Sequence, residues 1–327
     1  MKLEKSNVLV IGGAGFIGSF VVSELLKHPV NKVVVYDNFA RGNASYLTEQ
    51  LKDSRCSIFP FGGDIREIDI LNTAMEGMDY VISLAAMWLL HCKDYPRTAF
   101  DVNIAGTFNI LEACVKNKIK KLIWSSSASV YGDAVELPMT EAHPFNNKNF
   151  YGASKIAGEA MCTAFNDRYG LSVIGLRYMN VYGPHQDQTA AYTGVVPIML
   201  NKIEANEAPT INGDGSQAYD FIYVEDVARS NVQALLSDQE FGMYNVGTEV
   251  QTTINELCEL ILELKESSLK VKYNPYSEDD ARAMVKNRIG SRKKAAEELG
   301  FTYKYELKEG LQKLIEWRIA TGVDKKR

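Results

Sequence analysis
Cysteine is scarce in this 327-residue chain: Cys56, Cys92, Cys114, Cys162 and Cys258 are an odd five with no CxxC pair. That excludes a disulfide framework or a cysteine zinc site and fits a reducing compartment. Four scattered histidines add no metal-ligand spacing. Nothing approaches the ~20 consecutive apolar residues of a membrane span. The apolar run Val8–Ile11 passes straight into glycines and is too short for a signal peptide. No membrane partner is expected, and the expected location is cytoplasmic. Basic residues are outnumbered, 36 against 41 acidic, for a net charge of −5. Nucleic acid is therefore not an expected partner, and an anionic ligand must be met by locally placed cations. There is no internal repeat, and only Asp324–Arg327 reads as a frayed tail.

What is present is an ordinary globular composition, 46% hydrophobic and 24% charged, with enough apolar material for a large core. Short β-branched runs recur at Asn7–Ile11, Lys32–Tyr36, Ser57–Phe61, Tyr80–Leu84, Lys121–Ser125 and Ser172–Leu176, with helical stretches between them. Runs that are continuously apolar, not alternating, suit parallel strands covered on both faces. Strand–helix alternation predicts a doubly wound α/β (Rossmann) sheet with right-handed crossovers. After Leu176 the rhythm changes. Residues 177–225 are rich in Pro, Gly, Asn and Tyr, residues 252–266 read as a helix capped by a threonine, and 292–319 as further helix. The expected organisation is a Rossmann domain over 1–176, with contributions from about 218–246, and a smaller α/β substrate-binding lobe over 177–327.

Gly12, Gly15 and Gly18, spaced GxxGxxG with Phe16 and Ile17 inside the pattern, follow the first strand and open a helix read as Ser19–Lys27. That context suits a dinucleotide fingerprint: a tight turn, a close backbone approach to the pyrophosphate, and free N–H groups at a helix N-terminus. Asp37 ends the second strand, where a carboxylate accepts from the ribose hydroxyls and repels a 2′-phosphate, favouring NAD over NADP; Arg41 nearby weighs the other way. Asn38 adjoins Asp37, Asp64-Ile65 would flank the adenine, and Leu84-Ala85-Ala86 ends the fourth strand with small residues.

Tyr151 and Lys155 stand four apart, on one face if helical, and the set Ala153, Ile156, Ala157, Ala160, Met161, Ala164, Phe165 has helical period. An ammonium beside a phenol stabilises the phenolate, so Tyr151 is a candidate general base toward a substrate hydroxyl. Such a pair alone is common by chance. The serine-rich stretch Ser125–Gly132, closing the strand Lys121–Ser125 at the carboxyl edge where ligands of such sheets bind, strengthens it.

With these pieces the chain resembles the extended short-chain dehydrogenase/reductase superfamily, in its nucleotide-sugar epimerase and dehydratase branch. The resemblance extends through Leu176–Pro184, Gly213–Gln217, Asp220–Val227 and Asn245-Val246-Gly247. It implies Ser127, Tyr151 and Lys155 as the catalytic trio, Asn103 supporting Lys155 through water, Ser125 and Tyr178 beside the cofactor, and Asn180 against the substrate. It also implies bound NAD, a nucleotide-diphosphate sugar as substrate, and a homodimer built on helices near Ala99–Val115 and Ala153–Phe165. Dehydratases of the branch carry an Asp-Glu pair just after the catalytic hydroxyl; here Ala128 and Ser129 stand there, as in the 4-epimerases. Two departures stand out. Tyr219 occupies the place of a diphosphate-binding arginine, leaving Arg282 and Arg288 as the candidate cations, and Met87-Trp88-Leu89-Leu90 is apolar where a polar substrate-facing segment is usual. The expected activity is a C4 epimerisation; a 4,6-dehydratase and a dehydrogenase of a non-nucleotide alcohol are the alternatives.

Overall fold
The computed structural model describes residues 3–187, 194–276 and 285–323. Six strands, β1 (Asn7–Ile11), β2 (Lys32–Tyr36), β3 (Cys56–Ile58), β4 (Tyr80–Ser83), β5 (Lys121–Ser127) and β6 (Val173–Tyr178), form one parallel sheet with a seventh, Phe241–Val246. Its order is Phe241–Val246, β6, β5, β4, β1, β2, β3. The helices are α1 (Phe16–Leu26), α2 (Ile68–Met75), α3 (Leu89–Asp94), α4 (Pro96–Ala99), α5 (Gly106–Lys116), α6 (Phe150–Tyr169), α7 (Val195–Glu204), α8 (Val224–Leu236) and α9 (Ile254–Leu264), then Lys293–Leu299 and Leu307–Thr321.

The apolar runs are continuous because both faces are covered. Val8, Val10, Val33, Val35 and Ile123 pack with Val21, Val22 and Leu25 of α1 and Val227 and Val232 of α8. Leu9, Ile11, Val34, Val81 and Leu122 pack with Leu71 of α2, Ile110 and Leu111 of α5 and Cys162 and Phe165 of α6. Each such side chain withdrawn from water contributes roughly 1.5–3 kcal/mol before chain entropy is set against it. A third apolar cluster joins α7, α9 and Leu307–Thr321 through Val196, Leu200, Leu257, Ile261, Leu311 and Leu314. The strand order reverses between β1 and β4, which pair directly. Their carboxyl ends therefore open a crevice, the place where ligands of open α/β sheets bind.

Several boundaries differ from expectation. β3 stops at Ile58, because Pro60 has no N–H to give the ladder and Gly62 turns the chain at φ +100°. β5 and β6 run two residues further, to Ser127 and Tyr178, and α1 starts at Phe16 rather than Ser19. The seventh strand gives no β-branched run in the sequence: Val246 is its single β-branched residue, and Gly242 and Asn245 break its apolar stretch. The stretch 292–319 is two helices, parted where Gly300 adopts φ +68°. The threonine cap is Thr253, in a full capping box with Glu256. The tail Asp324–Arg327 and Arg282 lie outside the described residues.

Candidate active site
The glycine turn lies at the crevice between β1 and β4, and its three glycines are glycine for different reasons. Gly12 has φ +77°, and a Cβ there would sit 2.8 Å from the Ala85 amide. A Cβ on Gly18 would lie 2.1 Å from the Gly12 carbonyl and 2.7 Å from Gly13 Cα. Those two are required by the fold. Gly15 is extended (φ −80°, ψ −178°) and a Cβ there meets only the Gly12 carbonyl at 3.2 Å. Gly15 is the N-cap of α1, with no side chain capping the helix and no acidic residue in its first turn, so the N-terminal amides are left for an anion.

Asp37 closes the other side. Its carboxylate accepts from the Ala14 amide at 2.9 Å and the Phe39 amide at 2.8 Å, which fixes the loop after β2 against the glycine turn. Burial raises its pKa, the two amides opposing. Asn38 caps Ala40, Ile65 is buried against Gly106, and the Asp64 carboxylate is held by Arg66. Leu84, Ala85 and Ala86 leave β4 beside Gly12. The uncapped helix end, the open face of Gly15 and a buried carboxylate at the end of β2 fit a dinucleotide. Arg41 is engaged elsewhere: its guanidinium lies 3.4 Å over the Trp88 ring and pairs with Asp187 at 3.5 Å.

The chemistry-bearing residues meet at the end of β5. Tyr151 and Lys155 both lie on α6, whose N-cap Asn149 accepts from the Gly152 amide at 2.8 Å. Ser127 ends β5, its hydroxyl close enough to the Tyr151 phenol to lower that phenol's pKa. Lys155 donates to the Ser125 carbonyl at 2.7 Å, its ammonium 5.7 Å from the Tyr151 ring. Burial pushes the phenol up to about 12, Ser127 opposing, and pushes the ammonium down to about 8. Both shifts have one cause, loss of water around the charged form.

Helix α6 departs from expectation in which face it buries. Gly152, Ser154, Lys155, Gly158, Glu159 and Cys162 face inward, whereas Ala153, Ala160 and Ala164 are exposed. The polar stripe is inward because it serves the site; of the apolar set, only Phe165 is buried. Asn103 sits in a π-helical turn, Phe100–Ala105, between α4 and α5. Its side chain accepts from the Met87 amide at 2.7 Å and donates to the Met87 carbonyl at 2.9 Å and to Ser154 Oγ at 3.1 Å. Its direct partners are thus the segment after β4 and the residue before Lys155. Tyr178, at the end of β6, donates to Asn231 at 2.9 Å and is buried close to Tyr151.

Asn180 donates to the Asp220 carbonyl at 3.3 Å. Tyr219 donates its hydroxyl to the Val285 carbonyl at 2.8 Å, and its short strand Ala218–Tyr219 pairs with Asn287–Arg288. Arg288 thereby comes close enough to Tyr219, Asp133 and Tyr151 to feel their charge, while its Nε is buried with no hydrogen-bond partner among the described residues. A half-buried guanidinium with an unpaired donor is a candidate site for an anion. Next to that strand pair, Gly213, Asp214, Ser216, Gln217, Tyr276, Lys286 and Asn287 line a cavity of about 430 Å³. Residues that the sequence reading passed over are the buried Glu159–Arg177 pair, with a contact of 2.7 Å, and Cys92, whose thiol hydrogen-bonds the Met87 carbonyl. Nothing local marks either.

Fold and site together define a dinucleotide-binding α/β enzyme with a tyrosine–lysine pair at the carboxyl edge of the sheet. The sequence profile of the NAD dependent epimerase/dehydratase family matches residues 8–247. The chain is also similar to the UDP-glucose 4-epimerase of Halalkalibacterium halodurans, 30% identical with 91% of each chain covered. It is 30% identical to a UDP-N-acetyl-alpha-D-glucosaminuronate decarboxylase of Bacillus cytotoxicus, covering 96% of this chain and 98% of the relative. Among solved structures, the UDP-N-acetylglucosamine 4-epimerase of Methanobrevibacter ruminantium M1, in complex with UDP-N-acetylmuramic acid, superposes with a TM-score of 0.90 at 33% identity, over 98% of this chain and all of that one. The protein belongs to the NAD-dependent epimerase/dehydratase family.

Proposed function
We propose that the protein is a nucleotide-sugar 4-epimerase, acting first of all on a UDP-hexose, with NAD kept bound through turnover. The observation that carries this reading is Tyr151 set against Ser127 and backed by Lys155, while the two residues after Ser127 are Ala128 and Ser129, with no carboxylate. A sugar hydroxyl lying between Ser127 and Tyr151 gives up its proton to the phenolate, and the Lys155 ammonium steadies that negative charge. NAD, held by the N-terminal amides of α1 and the carboxylate of Asp37, would supply the hydride acceptor and donor for that carbon. Eliminating water from the resulting ketone needs an acid and a base beside it, and Ala128 and Ser129 supply neither. Ser127 and Tyr151 are left to hold the ketone oxygen and hand its proton back after the ring has turned over. The half-buried Arg288 guanidinium, its Nε unpaired among the described residues, supports binding of the diphosphate that Tyr219 cannot clasp. The UDP-sugars named for the similar proteins support uridine as the base.

The test is incubation with UDP-glucose, UDP-N-acetylglucosamine, UDP-glucuronate and their GDP-, CDP- and dTDP-linked counterparts, without added NAD, with products resolved by NMR. A C4-inverted sugar of unchanged mass is the expected product. A product lighter by water or by carbon dioxide overturns the reading in favour of a dehydratase or a decarboxylase.

We further propose a homodimer, paired through the outer faces of α5 and α6. Phe108 is 43% exposed on α5, and Phe150 and Tyr169 are exposed at the two ends of α6, beside its bare alanines. Apolar area of this kind is stabilised when a second copy covers it. Light scattering at micromolar concentration is expected to return twice the chain mass; a monomer refutes the pairing. Five buried, unpaired cysteines support a reducing compartment, the cytoplasm.

A further inference from the structure
Catalysis here depends on two elements keeping register: α6, which carries Tyr151 and Lys155, and the end of β5, which carries Ser125 and Ser127. Residues 151, 155 and 159 lie four apart and so form one stripe along α6. Each of the three meets a different member of the serine run. Tyr151 meets the Ser127 hydroxyl, Lys155 the Ser125 carbonyl at 2.7 Å, and Glu159 the Ser126 hydroxyl at 2.5 Å. Glu159 is itself fixed from behind. Arg177 of β6 grips it with two bonds, Nε to Oε1 at 2.8 Å and a terminal nitrogen to Oε2 at 2.7 Å. The other terminal nitrogen of Arg177 meets the Tyr131 hydroxyl at 2.7 Å, and that hydroxyl donates to Asn245 on the seventh strand at 2.7 Å. Lys155, Glu159, Ser126, Arg177, Tyr131 and Asn245 are all buried. A planar bidentate pair fixes direction as well as distance.

We propose that Glu159 is a positioning residue: anchored by Arg177, it sets the register of α6 on β5 and places a fixed negative charge one turn behind Lys155. This deepens the epimerase reading and rests on it for the reaction concerned. The Lys155 ammonium is faced by Cys92 from α3, by Cys162, Glu159 and the Tyr151 ring from α6, and by the Trp124 ring of β5 at 4.9 Å. Among these, Glu159 is the carboxylate, and it acts against the burial that drives Lys155 toward its neutral form. Arg177, from β6, holds the Glu159 carboxylate in place, and its bonds run to Glu159, the Tyr131 hydroxyl and the Glu141 carbonyl.

Three variants of the NAD-bound enzyme separate the roles. Glu159→Gln keeps the shape and removes the charge; it is expected to lower kcat about tenfold with KM unchanged. The basic limb of the kcat profile moves down by about one pH unit. Glu159→Asp restores that limb. Ser126→Ala removes one bond and no charge, so it lowers kcat and leaves the limb in place. A readout independent of the sugar is the 13C NMR titration of the lysine ε-carbons, with Lys155 assigned by its loss in Lys155→Arg. Its midpoint falls in Glu159→Gln and holds in Ser126→Ala. If the parent turns over no nucleotide sugar while that midpoint still shifts, the epimerase reading fails and the placing of charge by Glu159 stands. A Glu159→Gln protein that only melts earlier, with parental kcat and a parental Lys155 midpoint, overturns the proposal. Should Glu159→Gln not fold, parental kcat in Ser126→Ala overturns it equally.

Discussion

Tyr151→Phe is expected to lower kcat by about 10³-fold, within the range for loss of a positioned acid–base group, while KM and bound NAD stay at parental levels. The ring and its packing remain; only the oxygen goes. In the free protein the phenol is held up near 12 by burial and the Lys155 ammonium down near 8. At pH 7 the resting pair is therefore phenol and ammonium. Tyr151 accepts the sugar proton as phenolate, the form that the Lys155 ammonium and the positive nicotinamide of bound NAD would favour. Two consequences follow for the pH profile. Activity falls on the basic side as Lys155 loses its proton, with a limb near 8, and Lys155→Met removes that limb together with most of the activity. A Tyr151→Phe enzyme that keeps more than about a tenth of parental kcat, well outside the usual loss, removes Tyr151 from its role as base. Turnover is followed by coupled assay or directly by NMR.

Gly18→Ala and Gly15→Ala are expected to diverge, although both lie in one short motif. At Gly18 the new methyl would overlap the Gly12 carbonyl and Gly13 Cα, both backbone atoms of the same turn. Backbone cannot swing aside as a flexible side chain can, so the turn must open. The expected cost is about 3 kcal/mol or more, the upper range for overpacking, read as a lower Tm and loss of NAD together. At Gly15 the backbone is already in a region alanine adopts, and the one near atom, the Gly12 carbonyl, needs to give only a few tenths of an ångström. Stability is expected to drop by at most about 1 kcal/mol, the cost of a poorer N-cap. NAD affinity, measured by calorimetry, is expected to fall at least about tenfold (~1.4 kcal/mol) because the methyl occupies the face left open to the pyrophosphate. Equal loss of Tm in the two variants would show that Gly15, too, serves only the fold.

The sheet, the cofactor crevice and the tyrosine–lysine pair were legible in the sequence because each follows a local rule. Buried parallel strands read as unbroken apolar runs, a glycine turn between strand and helix announces itself by spacing, and residues four apart on a helix share a face whatever it packs against. Tertiary structure alone decided the rest. Arg288 reaches the site because two very short strands, Ala218–Tyr219 and Asn287–Arg288, pair across a long stretch of chain. Neither strand is long enough to show a period. Arg41 is taken up by Trp88 and Asp187 rather than left for a 2′-phosphate, a choice made between loops. Helix α6 turned its polar stripe inward, against what its apolar period suggested, because Lys155 and Glu159 find partners on β5 and β6 that sequence spacing cannot reveal. Periodicity reports only that one face is apolar. Whether that face meets the sheet or another surface is settled by the hydrogen bonds and charges waiting on each side, and those come from residues far apart in the chain.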